Sequence, residues 1–354
     1  MLSDDNNHSK KVNKTRTVVL SVFIDLIIAG LLLTIFVYFQ HVRHMRVDDG
    51  GIITTDRPKG NEDTKKETGT DSEDSPDDTD IVDYGDFGES FPDVFAPAGT
   101  VESDENHYKS EDISITITEN YSEYEDYVAK YYVFDVYIRN IENLYTVAST
   151  SRRPFTELVE NSGAVAVVSG DYWKTNAKVA VRNSDWILDA EHIDGDICVL
   201  YENGVMEIIS PYEYDPEYFK DPATGVYQIW DFGPTLVEDG KAVTDFRDHS
   251  DISGRNPRSA IGYIEPGHYI LIVAEGRCDI TYKGEKVYSK GIRLVDFARI
   301  FEELGCKVAY NLDGGDSAYA YYDGVILRQD YERANTPGQA PREIYDIICI
   351  GEVE

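Results

Sequence analysis

Residues 310–324 read YNLDGGDSAYAYYDG, placing Asp313 and Asp316 on either side of Gly314 and Gly315, with Ser317 following. Paired glycines allow positive φ and close approach of another group to the backbone. Such a turn gathers two carboxylates, a hydroxyl and bare backbone N–H groups in one small volume. Successive N–H groups in a turn of this kind can cradle an anion. A carboxylate held beside them could act as a base or a nucleophile. The plainer alternative is a tight turn whose aspartates only satisfy local backbone donors.

Three further segments show the same habit of ending an apolar run in polar groups. VSGDYW places Asp171 after Gly170, GRNPRSAIGY places Arg255, Asn256 and Arg258 around Pro257, and VAEGRC places Glu275 and Arg277 together. Arginine's planar fork suits phosphate oxygens. An internal arginine–carboxylate pair would explain any one segment. Four together point to a pocket for an anionic substrate.

Short β-type segments must carry these residues. Ser114–Thr118 and Tyr131–Ile138 alternate apolar and polar residues as half-buried strands do, and Gly163–Ser169 is a continuous apolar run. Cys306–Tyr310, Ile197–Tyr201, Met206–Ile209, Tyr227–Phe232, Ser259–Ile264, Tyr269–Ala274 and Ile344–Ile350 read the same way. Helices are expected at Arg152–Asn161 and Leu294–Leu304, the latter stopped by Gly305. The reading is one strand-rich α+β domain over residues 111–354, a mixed α/β body. Cys198, Cys278, Cys306 and Cys349 lack metal-type spacing and sit in or beside apolar runs, which favours buried thiols.

The first third of the chain differs. Val18–Gln40 is apolar apart from Asp25 and a few small polar residues, and is long enough to cross a bilayer. Lys10, Lys11, Lys14 and Arg16 precede it, so the tail 1–17 is expected in the cytoplasm and the rest outside, anchored by a single pass. Residues 41–110 hold much of the net charge of −33 and read as a disordered acidic linker. The acidity excludes nucleic acid as a partner, since no basic stripe can neutralise phosphates.

SGDYW, RNPRSAIGY, EGR, LVDFARIFEELGCKVAYNLDGGDS and REIYDIICI follow, in order, the pattern of the phosphodiester glycosidase domain, and the resemblance covers about Tyr131 to Gly351. IWDFGPTLVEDGK and VAVRN, with Arg182, are similar to further family segments. The resemblance implies hydrolysis of a sugar-1-phosphodiester of the N-acetylglucosamine-1-phosphate type, in cell-envelope glycans or exopolysaccharide. It implies Arg258 as a phosphate clamp with Arg277, and Gly314 and Gly315 as N–H donors. Asp313 and Asp171 become the leading carboxylates, with Glu275 in reserve. Arg255, Asn256, Arg182, Asp316 and Ser317 complete the expected site. No cofactor is expected; Asp313, Asp316 and Asp171 would suit Ca²⁺ or Mg²⁺ as hard oxygen ligands, but no calcium-loop pattern accompanies them. Ser169, Glu275, Asp316 and Ala318 depart from the usual family residues. Those departures keep open a second reading, a divergent member that binds envelope glycans or a partner.

Overall fold

The computed structural model describes residues 52–53, 86–327 and 341–352. The expected anchor Val18–Gln40 lies outside these residues, as does most of the linker. Among the described residues no helix is long and apolar enough to cross a membrane.

Among the described residues strands dominate, and helices are few and short. A nine-stranded sheet carries the long hairpin Ile113–Tyr124 and Tyr127–Ile138, then His268–Ala274, Arg258–Glu265, Val308–Asn311 and Thr235–Glu238 towards the other edge. Its alternation is clean. Ile113, Ile115 and Ile117 are buried, while Ser114 and Thr116 between them are not. These isoleucines join Phe134, Leu271 and Tyr310 in the main core. A six-stranded and a five-stranded sheet contribute Val168, Ile348, Leu200 and Trp230 to the same core. The opposite face of the nine-stranded sheet packs Ala260, Ile270 and Ile272 against the helix Leu294–Glu303 through Phe297 and Phe301. The outer face of the six-stranded sheet is covered by the helix Phe155–Ser162.

Several expected boundaries move, each for a local reason. The helix expected from Arg152 begins at Phe155, because Arg152 and Arg153 end the extended strand Leu144–Arg153 before Pro154. A residue preceding proline is pushed out of the α region. Gly163 is the left-handed cap of that helix, at φ 67°, rather than the first residue of a strand, which starts at Ala166. Within the linker expected to run to residue 110, Ile52–Ile53 pairs with Ala148 and Ser149, and residues 86–110 belong to the folded body. Phe87 and Phe95 are buried, Arg139 pairs with Asp86 at 2.8 Å, and His107–Lys109 pairs with Ser114–Thr116. Two phenylalanines suffice to dock this segment although its average composition is acidic. The strand Leu144–Arg153 and the hairpin Cys278–Tyr282 with Glu285–Ser289 were not anticipated. All four cysteines are buried free thiols.

Candidate active site

The strand Val308–Asn311 lies between Thr235–Glu238 and Arg258–Glu265, and its end delivers the glycine turn. Leu312 N–H donates to Ser259 O at 2.8 Å, and Asp313 N–H donates to Gly170 O at 3.0 Å. Gly314 is required by contact and Gly315 by backbone conformation. A Cβ on Gly314 would sit 2.6 Å from Pro257 O, and Gly315 adopts φ 62° with its N–H on Pro257 O at 2.8 Å. The Gly314 amide faces the Asp313 carboxylate. The two N–H groups expected to cradle a substrate anion are therefore engaged within the protein.

Asp313 is half-buried at the end of this turn. Burial pushes its pKa up to about 6; the Ser317 hydroxyl, the Arg342 charge and the Gly314 amide pull it down, and the Asp171 charge pushes it up. Ser317 is fully buried, and its hydroxyl lies near Asp313 without completing a hydrogen bond of good geometry. A carboxyl group poised near neutral pH is suited to proton transfer.

Asp171 is brought beside Asp313 but is deeply buried and occupied. Its Oδ1 accepts from Arg182 Nη2 at 2.5 Å, and its Oδ2 accepts from Asp231 N–H at 3.1 Å. Arg182 also donates to Asp346 Oδ2 through Nε at 3.2 Å and Nη2 at 3.0 Å. With both oxygens engaged, Asp171 is placed as a brace rather than as an attacking group. Asp346 had not been singled out from the sequence. Its signal was available, as one acid in the otherwise apolar strand Ile344–Ile350.

The arginines divide. Arg258 is buried, and its guanidinium donates to Ile292 O at 3.0 Å, Ile252 O at 2.5 Å and Gly254 O at 2.7 Å. It holds a loop, where a phosphate clamp had been expected, and burial draws its pKa down to about 10. Arg255 lies away from the turn, over the Tyr127 ring and near Asp126. Arg277 does reach the turn. Its Nη1 meets Asp316 Oδ1 at 2.6 Å and its Nη2 meets Asn256 Oδ1 at 2.9 Å. Glu275 is buried in a neighbouring cluster, accepting from Tyr132 Oη at 3.0 Å and pairing with Lys130 at 3.4 Å.

Residues outside the expected set gather around Tyr172. The exposed Arg342 and Arg152 guanidinium groups both lie over the Tyr172 ring, at 5.5 and 5.2 Å. Tyr345 packs edge-on against Tyr172 at 5.2 Å. Arg342 is the charge that Asp313 senses. The Tyr172 ring is buried beneath these guanidinium groups, so it props the two cations, of which Arg342 offers charge for a phosphate beside Asp313. Among the described residues no three His, Cys, Asp or Glu side chains gather to hold a metal ion. Asp316 is turned to Arg277 and Asp171 to Arg182, so the hard-oxygen site considered from sequence is not formed by these side chains.

Residues 162–351 match the family model described as phosphodiester glycosidase. The SPbeta prophage-derived uncharacterized protein YomE of Bacillus subtilis is 26% identical over 186 residues, 51% of this chain. Those residues are 27% of that protein, so the chain spans about a quarter of its length. The zebrafish N-acetylglucosamine-1-phosphodiester alpha-N-acetylglucosaminidase catalytic domain, auto-inhibited by its pro-peptide, superposes with a TM-score of 0.55 at 14% identity. The match covers 72% of this chain and 88% of that domain, and shows a shared fold. With more than half of its residues matching the family model and the motif strands converging on one turn, the chain belongs to the phosphodiester glycosidase family.

Proposed function

We propose that the chain is a membrane-anchored extracytoplasmic hydrolase of a sugar-1-phosphodiester, of the N-acetylglucosamine-1-phosphate type, in envelope glycans or exopolysaccharide. The observation that carries the reading is Asp313: a half-buried carboxyl group with its pKa raised to about 6, next to Arg342 and on the motif turn. Hydrolysis breaks the bond between the anomeric carbon and the phosphate oxygen. Water supplies a hydroxyl to the sugar, and the proton it loses is taken up by the site. The departing phosphomonoester has a second pKa near 6, so it leaves with little help from an acid. The demanding task is to activate water and to shield charge at an oxocarbenium-like centre. Ionised Asp313 performs the first as general base. Arg342 and Arg152, propped on the buried Tyr172 ring, hold the phosphate. Arg277 is the reserve cation. The anchor is Val18–Gln40, with the domain outside the cell.

Incubating the full-length protein with a UDP-type or p-nitrophenyl N-acetylglucosamine phosphodiester tests this reading, with free sugar as the readout. One observation favours a second reading, a glycan- or partner-binding member without turnover. Asp316 pairs with Arg277 at 2.6 Å and so occupies a cation that a phosphate would otherwise use. Saturable binding of the same diester with no free sugar released would select that alternative.

A further inference from the structure

Arg182 has five N–H donors, and each has an assigned acceptor. Nη1 serves the carbonyls of Val181 at 3.0 Å and Ile229 at 2.5 Å. Nη2 serves Asp171 Oδ1 and Asp346 Oδ2, and Nε serves Asp346 Oδ2 again. Nothing is left for Asp346 Oδ1. That oxygen is fully buried and has no hydrogen-bond partner among the described residues. A buried ionised oxygen with no donor is strongly disfavoured. The two carboxyl groups meet each other directly, so a proton on Asp346 would find an acceptor in Asp171.

We propose that Asp346 is held as a neutral carboxylic acid donating to ionised Asp171, so that the buried Asp171–Arg182–Asp346 cluster carries no net charge and positions Asp313. The charges sum to zero: one carboxylate, one guanidinium and one neutral acid. Burial and the Asp171 charge push the Asp346 proton affinity the same way, against the pull of Arg182. Further out, Asp171 is felt by Asp231 and Asp313. The link to Asp313 runs through Gly170. A Cβ there would lie 2.6 Å from the Asp346 carboxyl carbon, so the acid packs flat against the glycine. Gly170 N–H donates to Asp346 O at 3.1 Å, and Gly170 O accepts the Asp313 N–H at 3.0 Å. Asp346 is thus a positioning residue two contacts from the proposed base.

The direct test does not depend on turnover. Infrared spectra of the full-length wild-type protein are recorded at about pH 8, where Asp313 and Asp231, each raised to about 6, are ionised. We expect a protonated-carboxyl C=O band that resists deuterium exchange and is missing from D346N. A wild-type spectrum without such a band overturns the proposal, whether or not D346N folds. A band that persists in folded D346N also overturns it, by placing the proton elsewhere. The second test rests on the hydrolase reading. In the pH profile of kcat/KM, D346N should leave the acid limb in place, because the amide replaces a group that was already neutral. Burial is the main cause of the raised Asp313 pKa and the Asp171 charge adds to it, so D171N should move the acid limb modestly to lower pH. An acid limb that moves down in D346N and stays in D171N contradicts the assignment. A missing band sinks the proton placement alone, whereas absence of turnover in the wild type sinks only the hydrolase reading.

Discussion

The amide of Asp313 donates to the carbonyl of Gly170 at 3.0 Å, tying the glycine turn at the end of one sheet to the Ser-Gly-Asp segment at the end of another. The same junction receives Ser169, whose hydroxyl bonds Ser317 O and accepts from Tyr319 N–H. Ser169, one of the departures from the family pattern, therefore serves the backbone of the turn. The proposed base is held on a hydrogen-bonded seam between sheets, and burial is the main influence on its carboxyl group.

That burial has a testable sign. The folded pKa of Asp313 is raised, so its contribution to stability is full below the ordinary carboxylate range and is lost as pH rises through about 6. We expect D313N to melt higher than wild type at about pH 8, with the difference shrinking as the pH is lowered towards 4. Thermal denaturation across that range checks this, and a lower Tm for D313N at about pH 8 would count against a strained carboxylate at this position.

Arg258 should behave as a structural residue. Its three charge-assisted bonds to carbonyls hold the 252–254 loop against Ile292. A bond to a charged group is worth about 1.5–3 kcal/mol, and removing the side chain also leaves buried carbonyls unpaired. R258A should therefore lose at least about 2 kcal/mol in urea denaturation while its folded fraction keeps substrate affinity. A large rise in KM with unchanged stability would restore the clamp role.

The Arg277–Asp316 pair is partly exposed, and such pairs contribute about 0–1 kcal/mol. D316A should barely change Tm. With the Asp316 charge gone and only Asn256 left on the guanidinium, Arg277 becomes available to the phosphate, and KM should fall several-fold. An unchanged KM would remove Arg277 from substrate binding.

Truncation separates the acidic stretch from the body at Asp86 rather than near residue 111. Of the described residues, deleting 1–85 removes the two-residue strand Ile52–Ile53 at the edge of the six-stranded sheet, so Tm should stay within a few degrees of the full chain. Deleting 1–110 removes buried Phe87 and Phe95 and the strand pairing His107–Lys109 with Ser114–Thr116. Burial of a phenylalanine contributes about 1.5–3 kcal/mol, so this shorter protein should melt clearly lower. Equal Tm values for the two would contradict the docking of residues 86–110.

Much of the sheet framework was legible because strands buried on one face alternate and those buried on both are continuously apolar. Ile113, Ile115 and Ile117 show the first pattern, and Ala166–Ser169 shows the second. The direction of Arg258 was also readable in principle. It shares parity with Ala260, which packs on the helix side, whereas Ile261 and Tyr263 face the core between the sheets. Motif position alone suggested a clamp and concealed that parity. Asp346 stood out as the one acid of an apolar strand, but its partner was not readable, and Arg342 and Arg152 carried no local signal. Asp346 meets Arg182 across 164 positions, and no local pattern encodes such a contact. The acidic average over residues 41–110 masked Phe87 and Phe95 in the same way.

The central claim is that Asp313 activates water for hydrolysis of a sugar phosphodiester. General-base catalysis is worth roughly 10²–10⁴-fold, and Asp313→Asn preserves shape while removing the base. The direct measurement is the rate of free N-acetylglucosamine release from its phosphodiester by full-length wild type and D313N, from pH 4 to 8. The account predicts wild-type turnover that declines as pH falls through about 6, and a D313N rate at least about a hundredfold lower at neutral pH. Wild-type-like turnover in folded D313N would contradict it.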